Sequence, residues 1–366
     1  MTRTHRRSFR IAITTLALAA NVAIATTVLA QQQKSLPPQE PPPSNTLSIP
    51  ARQAPEAAPS IAAPLMGQPL ASLEVPSLKL RNQPGFEQVT VTVTDSSGKY
   101  VTDLKEDDFR VLEDGQQRPI GFFRADSSAP VSVGIVVDCS GSMSSKMWQA
   151  RQAITRMVED LDLRDDIFLE SFSVEAHLLQ PFTLKHTEII DHLDFLHPLT
   201  ETALYDAIYM GLYEMRHARR DKRALLVVTD GMDNRSEIPR EQVIDAARKM
   251  KVLIYTIGIG NEARTEEKGF MHGFWSADDN QVDMNTLNTL ADETGARSYN
   301  LHEAGDGVEL ARDCEAISKE LTQQYTVAYL SPDVDRPGYR TLKVDIPKHP
   351  ELSVRVRKGV AIGPTR

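Results

Sequence analysis

The chain has 366 residues with 41 lysines and arginines against 50 aspartates and glutamates, a formal net charge of −9 at pH 7. That balance argues against a nucleic-acid partner, which needs a basic surface. Its length allows one medium domain with appendages or two domains with separate cores, and two cysteines are too few for the disulfide framework of a small exported scaffold.

Residues 1–30 read as an export signal. Arg3, Arg6, Arg7 and Arg10 precede an apolar stretch from Ile11 that closes on Val28-Leu29-Ala30, the order of charged region, apolar region and small-residue cleavage site. Cleavage there would start the mature protein near Gln31, in the periplasm or outside the cell, and loss of the four leader arginines would take the net charge from −9 to −13. Thr14, Thr15, Asn21, Thr26 and Thr27 make the stretch polar for a membrane span, so membrane contact is expected only if the leader stays uncleaved. His5-Arg6-Arg7-Ser8-Phe9-Arg10 also resembles a twin-arginine signal, and both export routes stay open. Residues 31–76, with Pro37, Pro38, Pro41, Pro42 and Pro43, form a Pro-rich segment that cannot bury a core and is expected to act as an extended spacer.

From 77 to 129 the pattern changes to strands: Val89-Thr90-Val91-Thr92-Val93 alternates at period two, and Asp95-Ser96-Ser97-Gly98-Lys99 supplies a turn. Residues 130–322 then alternate strand and helix. Val131–Val137, Ile167–Phe172, Ala224–Thr229, Val252–Ile257 and Arg297–Asn300 read as strands, with Ala176–Leu179 as a short edge partner. Met147, Ala150, Ile154, Met157, Val158 and Leu161 trace a helical stripe, and Gly295 reads as a helix stop. This alternation predicts an α/β fold, a doubly wound and mostly parallel sheet with right-handed crossovers. Residues 323–366 return to strands, and the head and tail strands are expected to pack as a small β-domain beside the sheet.

One segment carries chemistry. Asp138-Cys139-Ser140-Gly141-Ser142 places a carboxylate and two hydroxyls at alternate positions after the first core strand, at the carboxyl end where open α/β sheets bind ligands. Oxygen donors so spaced suit Mg²⁺; an ordinary Ser/Gly turn is the bland alternative. Leu199-Thr200-Glu201-Thr202-Ala203-Leu204-Tyr205-Asp206 puts a hydroxyl ahead of a helical pattern, and the strand Ala224–Thr229 ends in Asp230-Gly231.

With these three segments the sequence resembles the von Willebrand factor type A (VWA) family, whose metal-ion-dependent adhesion site is written Asp-x-Ser-x-Ser, then Thr, then Asp. The resemblance implies a Rossmann-like VWA domain with a metal site at Asp138, Ser140, Ser142, Thr202 and Asp230, taking Mg²⁺ or else Mn²⁺ or Ca²⁺. It further implies direct coordination by the three hydroxyls, with the two carboxylates acting largely through metal-bound water. The cation would accept a carboxylate from a partner protein presenting Asp or Glu, so the resemblance implies a binding module and not an enzyme, with no small-molecule substrate. The stretch from Val101 to Gly115, with Asp107-Asp108-Phe109 and Glu113-Asp114-Gly115, looks like the leading segment of the VWFA-related proteins of acidobacteria, and the tail from Tyr325 to Gly359 resembles the same subgroup.

Other readings compete. Asp138 with Mg²⁺ could serve as a phosphoryl-transfer nucleophile, although such sites resemble Asp-x-Asp, and a purely structural VWA-like scaffold is the third class. Thr200 or Glu201 could alter the metal site, since the family commonly has small residues before the coordinating Thr. Ile257-Gly258-Ile259-Gly260 lacks the third glycine of a dinucleotide fingerprint. His186, His192 and His197 lack helical ligand spacing, which argues against zinc, and Cys139 and Cys314 are read as free thiols. The cluster Arg216, Arg219, Arg220, Lys222 and Arg223 is read as complementing a helix C-terminus. The segment from Asn261 to Asp283 is long for a βα connection, and Phe270, Phe274 and Trp275 in it are candidate partner contacts.

Overall fold

A computed structural model describes residues 85–126, 129–198, 201–262, 281–301, 307–331 and 338–362. The expected export signal and spacer, and the candidate contacts Phe270, Phe274 and Trp275, lie outside the described residues.

In chain order, β1 (Phe86–Thr94), β2 (Arg110–Glu113), β3 (Gln116–Arg118) and β4 (Ile120–Asp126) lead into the alternating region. That region runs β5 (Val131–Asp138), α1 (Met147–Asp160), β6 (Asp166–Phe172), β7 (Ala176–Thr183), α2 (His186–Leu193), α3 (Leu204–Glu214) and β8 (Lys222–Thr229). It continues through α4 (Arg240–Met250), β9 (Leu253–Ile259), the two-residue β10 (Asn261–Glu262) and β11 (Gln281–Val282), α5 (Met284–Thr294), β12 (Ser298–Leu301) and α6 (Gly307–Thr322). The tail supplies β13 (Gln324–Leu330), β14 (Gly338–Asp345), β15 (Ser353–Arg355) and β16 (Gly359–Ile362).

The central sheet has the order β12-β9-β8-β5-β6-β7. Every neighbouring pair is parallel except β6 and β7. The chain leaves β5 toward β6 on one side and later returns to β8 on the other, so strand order reverses between β5 and β8. Both faces are covered, which is why these strands read as unbroken apolar runs. On one face Val133, Ile135 and Val137 pack with Ala150, Ile154 and Met157 of α1 and Ile317 and Leu321 of α6. On the other, Val136, Phe168, Leu225 and Val227 pack with α3 and α4.

Some boundaries differ from the sequence pattern. β7 runs on to Thr183, past the expected end at Leu179, because Pro181 sits on an antiparallel edge strand whose pairing with β6 shifts register. Lys222 and Arg223 belong to buried β8 and not to the preceding helix end, so only Arg216, Arg219 and Arg220 of the basic cluster follow α3. Cys139 and Cys314 are both free and buried, and burial pushes each thiol up to about 12.

The flanking strands form two four-stranded sheets, β15-β1-β13-β4 and β16-β14-β2-β3. Val89, Val91, Phe109, Val111, Val327, Leu342 and Val344 fill a third core drawn from both sheets. Head and tail therefore do pack together. Among the described residues no helix is long and apolar enough to cross a membrane.

Candidate metal centre

Asp138 is the last residue of β5 and Asp230 follows the last residue of β8, so the parallel pairing of those strands sets two carboxylates side by side at the switch point. Both are fully buried. The backbone N–H of Ser140 donates to Asp138 Oδ1 at 2.7 Å and the Thr229 hydroxyl to Oδ2 at 2.6 Å. Burial, and then the charge of Asp230, push the Asp138 carboxyl up to about 6. Two buried acids with few counter-charges favour a cation.

The chain turns directly after Asp138, and a 3-10 turn over Gly141–Met143 holds the two hydroxyls together: Ser140 Oγ lies 3.1 Å from Ser142 Oγ. Ser140 is buried and Ser142 half-buried, so the pair runs from the site toward solvent. Beyond Asp230, Gly231 adopts φ +78, and an added Cβ would sit 3.0 Å from the Asp283 carbonyl and 3.2 Å from Leu287. Only glycine turns the chain there at low cost while α5 packs this close.

Thr202, 2% exposed, is fixed by the loop that follows Asp230. Its N–H donates to Asn234 Oδ1 at 3.1 Å, and its carbonyl accepts from the N–H groups of Asn234 and Arg235 at 3.0 and 3.1 Å. The same loop caps α3: Asp233 Oδ1 accepts from Leu204 N–H at 2.8 Å and Ser236 Oγ from Tyr205 N–H at 2.9 Å. Asp206 answers by accepting from Ile238 N–H at 2.8 Å. Capping of α3 therefore comes from a distant loop and not from the residue before it, Ala203. Glu201 points its carboxylate at Arg235, 3.0 Å away, with both side chains about half exposed. Thr200 lies outside the described residues.

Two carboxylates, one ending β5 and one just beyond β8, and the Ser140 and Ser142 hydroxyls thus gather at one sheet edge, and Thr202 is tied by its backbone to the loop after Asp230; all are hard oxygen donors of the kind Mg²⁺ takes. Among the described residues no group of three or more His, Cys, Asp or Glu converges, which leaves this mixed donor set as the candidate. The sequence pattern missed several members of the site: Thr229, which holds Asp138; the capping residues Asp233, Asn234 and Ser236; and Lys146, fully buried with Nζ 3.3 Å from Asp230 Oδ2. The run Asp233-Asn234-Arg235-Ser236 carries a cap signal, but for a helix the sequence does not place beside it.

Residues 132–311 match the family model of the von Willebrand factor type A domain. The chain carries a VWA domain. A curated relative, an uncharacterized protein of Borreliella burgdorferi, is 28% identical over 189 residues, which is 48% of this chain; the chain spans about half of that relative's length, 55%. The VWA domain also resembles solved structures at low identity. One is a von Willebrand factor type A protein from Catenulispora acidiphila, 13% identical, covering 76% of this chain and 73% of that one with a TM-score of 0.43. Another is an aerotolerance-related membrane protein from Bacteroides fragilis, 18% identical, covering 52% and 98% with a TM-score of 0.42. A third is the von Willebrand domain of a type V pilus tip protein from Porphyromonas gingivalis, 14% identical, covering 52% and 95% with a TM-score of 0.39.

Proposed function

We propose that the protein is an exported, metal-dependent binding module whose VWA domain holds one divalent cation and uses it to capture an acidic side chain of a partner protein. The observation that carries this reading is the pairing of the Ser140 and Ser142 hydroxyls, 3.1 Å apart, beside two fully buried carboxylates at the switch point of the sheet. Asp138, Ser140, Ser142, Thr202 and Asp230 would hold Mg²⁺, or Mn²⁺ or Ca²⁺, and the bound ion would supply an electrophilic position for a partner's Asp or Glu. Asp138 is poorly placed for phosphoryl transfer, because it is fully buried and both its oxygens already accept hydrogen bonds. Trp148, 67% exposed in the first turn of α1, and Met232, 45% exposed just after Asp230, flank the same sheet edge and supply apolar surface for a protein contact. Export rests on the pattern of residues 1–30.

Calorimetric titration of Mg²⁺ tests the metal, and retention of envelope proteins on the immobilised chain with and without chelator tests the partner. Wild type should bind one Mg²⁺, and Asp138→Ala should lose that binding while keeping its fold, since Asp138 stands at the very end of β5 and the apolar run Val131–Val137 that packs the core is untouched. Unchanged Mg²⁺ binding by the variant would refute the site.

A further inference from the structure

Lys146 is the residue of this centre whose position ordinary helix physics does not explain. It is the N-cap of α1, makes no capping hydrogen bond with its side chain, and has no exposure. A positive charge at a helix N-terminus opposes the macrodipole. A buried ammonium also loses its hydration, a heavy cost unless a counter-charge meets it. Its counter-charge is Asp230, whose Oδ2 lies 3.3 Å from Nζ, while Asp230 Oδ1 accepts from the Met232 N–H at 3.3 Å. The ammonium therefore stands among the groups assigned above to the cation.

We propose that Lys146 is a built-in counter-cation of the metal centre, one that weakens Mg²⁺ binding and leaves the loaded site positive. The inference rests on the reading that these residues hold a divalent cation. With Asp138 and Asp230 ionised, Lys146 brings the empty centre to a net charge of −1, and a divalent ion takes it to +1. Without the lysine the loaded centre would be neutral, with less attraction for a partner's carboxylate. In the absence of metal the ammonium relieves the repulsion between the two acids, so the loops hold together without the cation. The metal in turn enters against a fixed positive charge, which makes it exchangeable.

The test is Mg²⁺ titration of the full chain, wild type against Lys146→Met, with melting curves recorded in chelator and in excess Mg²⁺. Removing a unit charge so close to the site should tighten Mg²⁺ binding by roughly tenfold or more. The variant should also melt lower than wild type in chelator and recover in Mg²⁺. Equal or weaker Mg²⁺ binding by the variant overturns the proposal. If Lys146→Met does not fold, Lys146→Gln, which keeps a donor and loses the charge, is titrated in its place; failure of both to fold even in excess Mg²⁺ makes Lys146 a core residue and overturns it as well. The wild-type arm separates the two claims. No Mg²⁺ binding by wild type but binding by the variant means that the lysine has displaced the metal, which supports the counter-cation role and refutes a loaded native site; no binding by either overturns both.

Discussion

Glu170 shows what a single charge does in this core when nothing meets it. It lies on β6 with no exposure, on the face it shares with Phe168 and Phe172, and neither carboxyl oxygen has a hydrogen-bond partner among the described residues. Burial, and then the nearby Glu214, push its carboxyl well above the ordinary range. For a carboxyl raised on folding, stability is present in full below the unfolded pKa of about 4.3 and is lost as pH rises toward the folded value, by about 1.4 kcal/mol per pH unit. Glu170→Met, close in length and apolar, should therefore be more stable than wild type near neutral pH, and the gain should shrink toward about pH 4. Urea denaturation across that range checks it; a gain independent of pH would mean that packing, not ionisation, sets the cost. The sequence did not expose this residue, since a lone Glu within a strand reads as its solvent side until the second helical layer is known to cover it.

At the level of elements, β5 organises the domain and was the most legible part of the sequence. An unbroken apolar run from Val131 to Val137 told of cover on both faces, and the Asp-x-Ser-x-Ser that follows marked its carboxyl end as the ligand edge. What such a run cannot show is how tightly the strands approach. Gly134 pairs with Phe168 of β6 and Leu225 of β8, and an added Cβ would lie 2.3 Å from the Phe168 ring and 2.5 Å from a Leu225 methyl. The Phe168 ring is itself held edge-on by Phe182, 5.0 Å between centroids, so it has little room to retreat. Gly134→Ala should destabilise the protein by about 1–3 kcal/mol through overpacking, read as a lower urea midpoint with an unchanged slope. An unchanged midpoint would show that the rings can move aside. Lys146 stayed hidden for a similar reason: eight residues beyond Asp138 it reads as an ordinary charged helix start, and only the fold of the loop turns it inward.

Across the whole molecule, the strand pairing of the β-domain was the least legible feature, because β1 pairs with both β13 and β15 from the far end of the chain and nothing local specifies those partners. One contact between this domain and the VWA domain is built around Glu320, near the end of α6. Its carboxylate is fully buried and pairs with Arg355 of β15. It also accepts from Tyr255 of β9 at 2.8 Å and from Tyr100, in the loop after β1, at 3.2 Å. Gln324 extends the network by donating to Tyr255 at 3.0 Å and to Thr92 of β1 at 3.2 Å. One carboxylate thus ties the last helix of the VWA domain to its sheet and to the flanking strands. Glu320→Ala would strand Arg355, only 21% exposed, without its counter-charge, at a cost of about 3 kcal/mol, the lower end for a broken buried pair because some hydration remains. Arg355→Ala in the same background should recover part of that loss, since the uncompensated charge is then gone. Calorimetric melting of the two single variants and the double variant measures the coupling. If the two losses simply add, the pair does not link the domains, and other contacts hold them together, such as Lys251 with Glu87 at 3.1 Å and Arg357 with the Arg248 carbonyl at 3.1 Å.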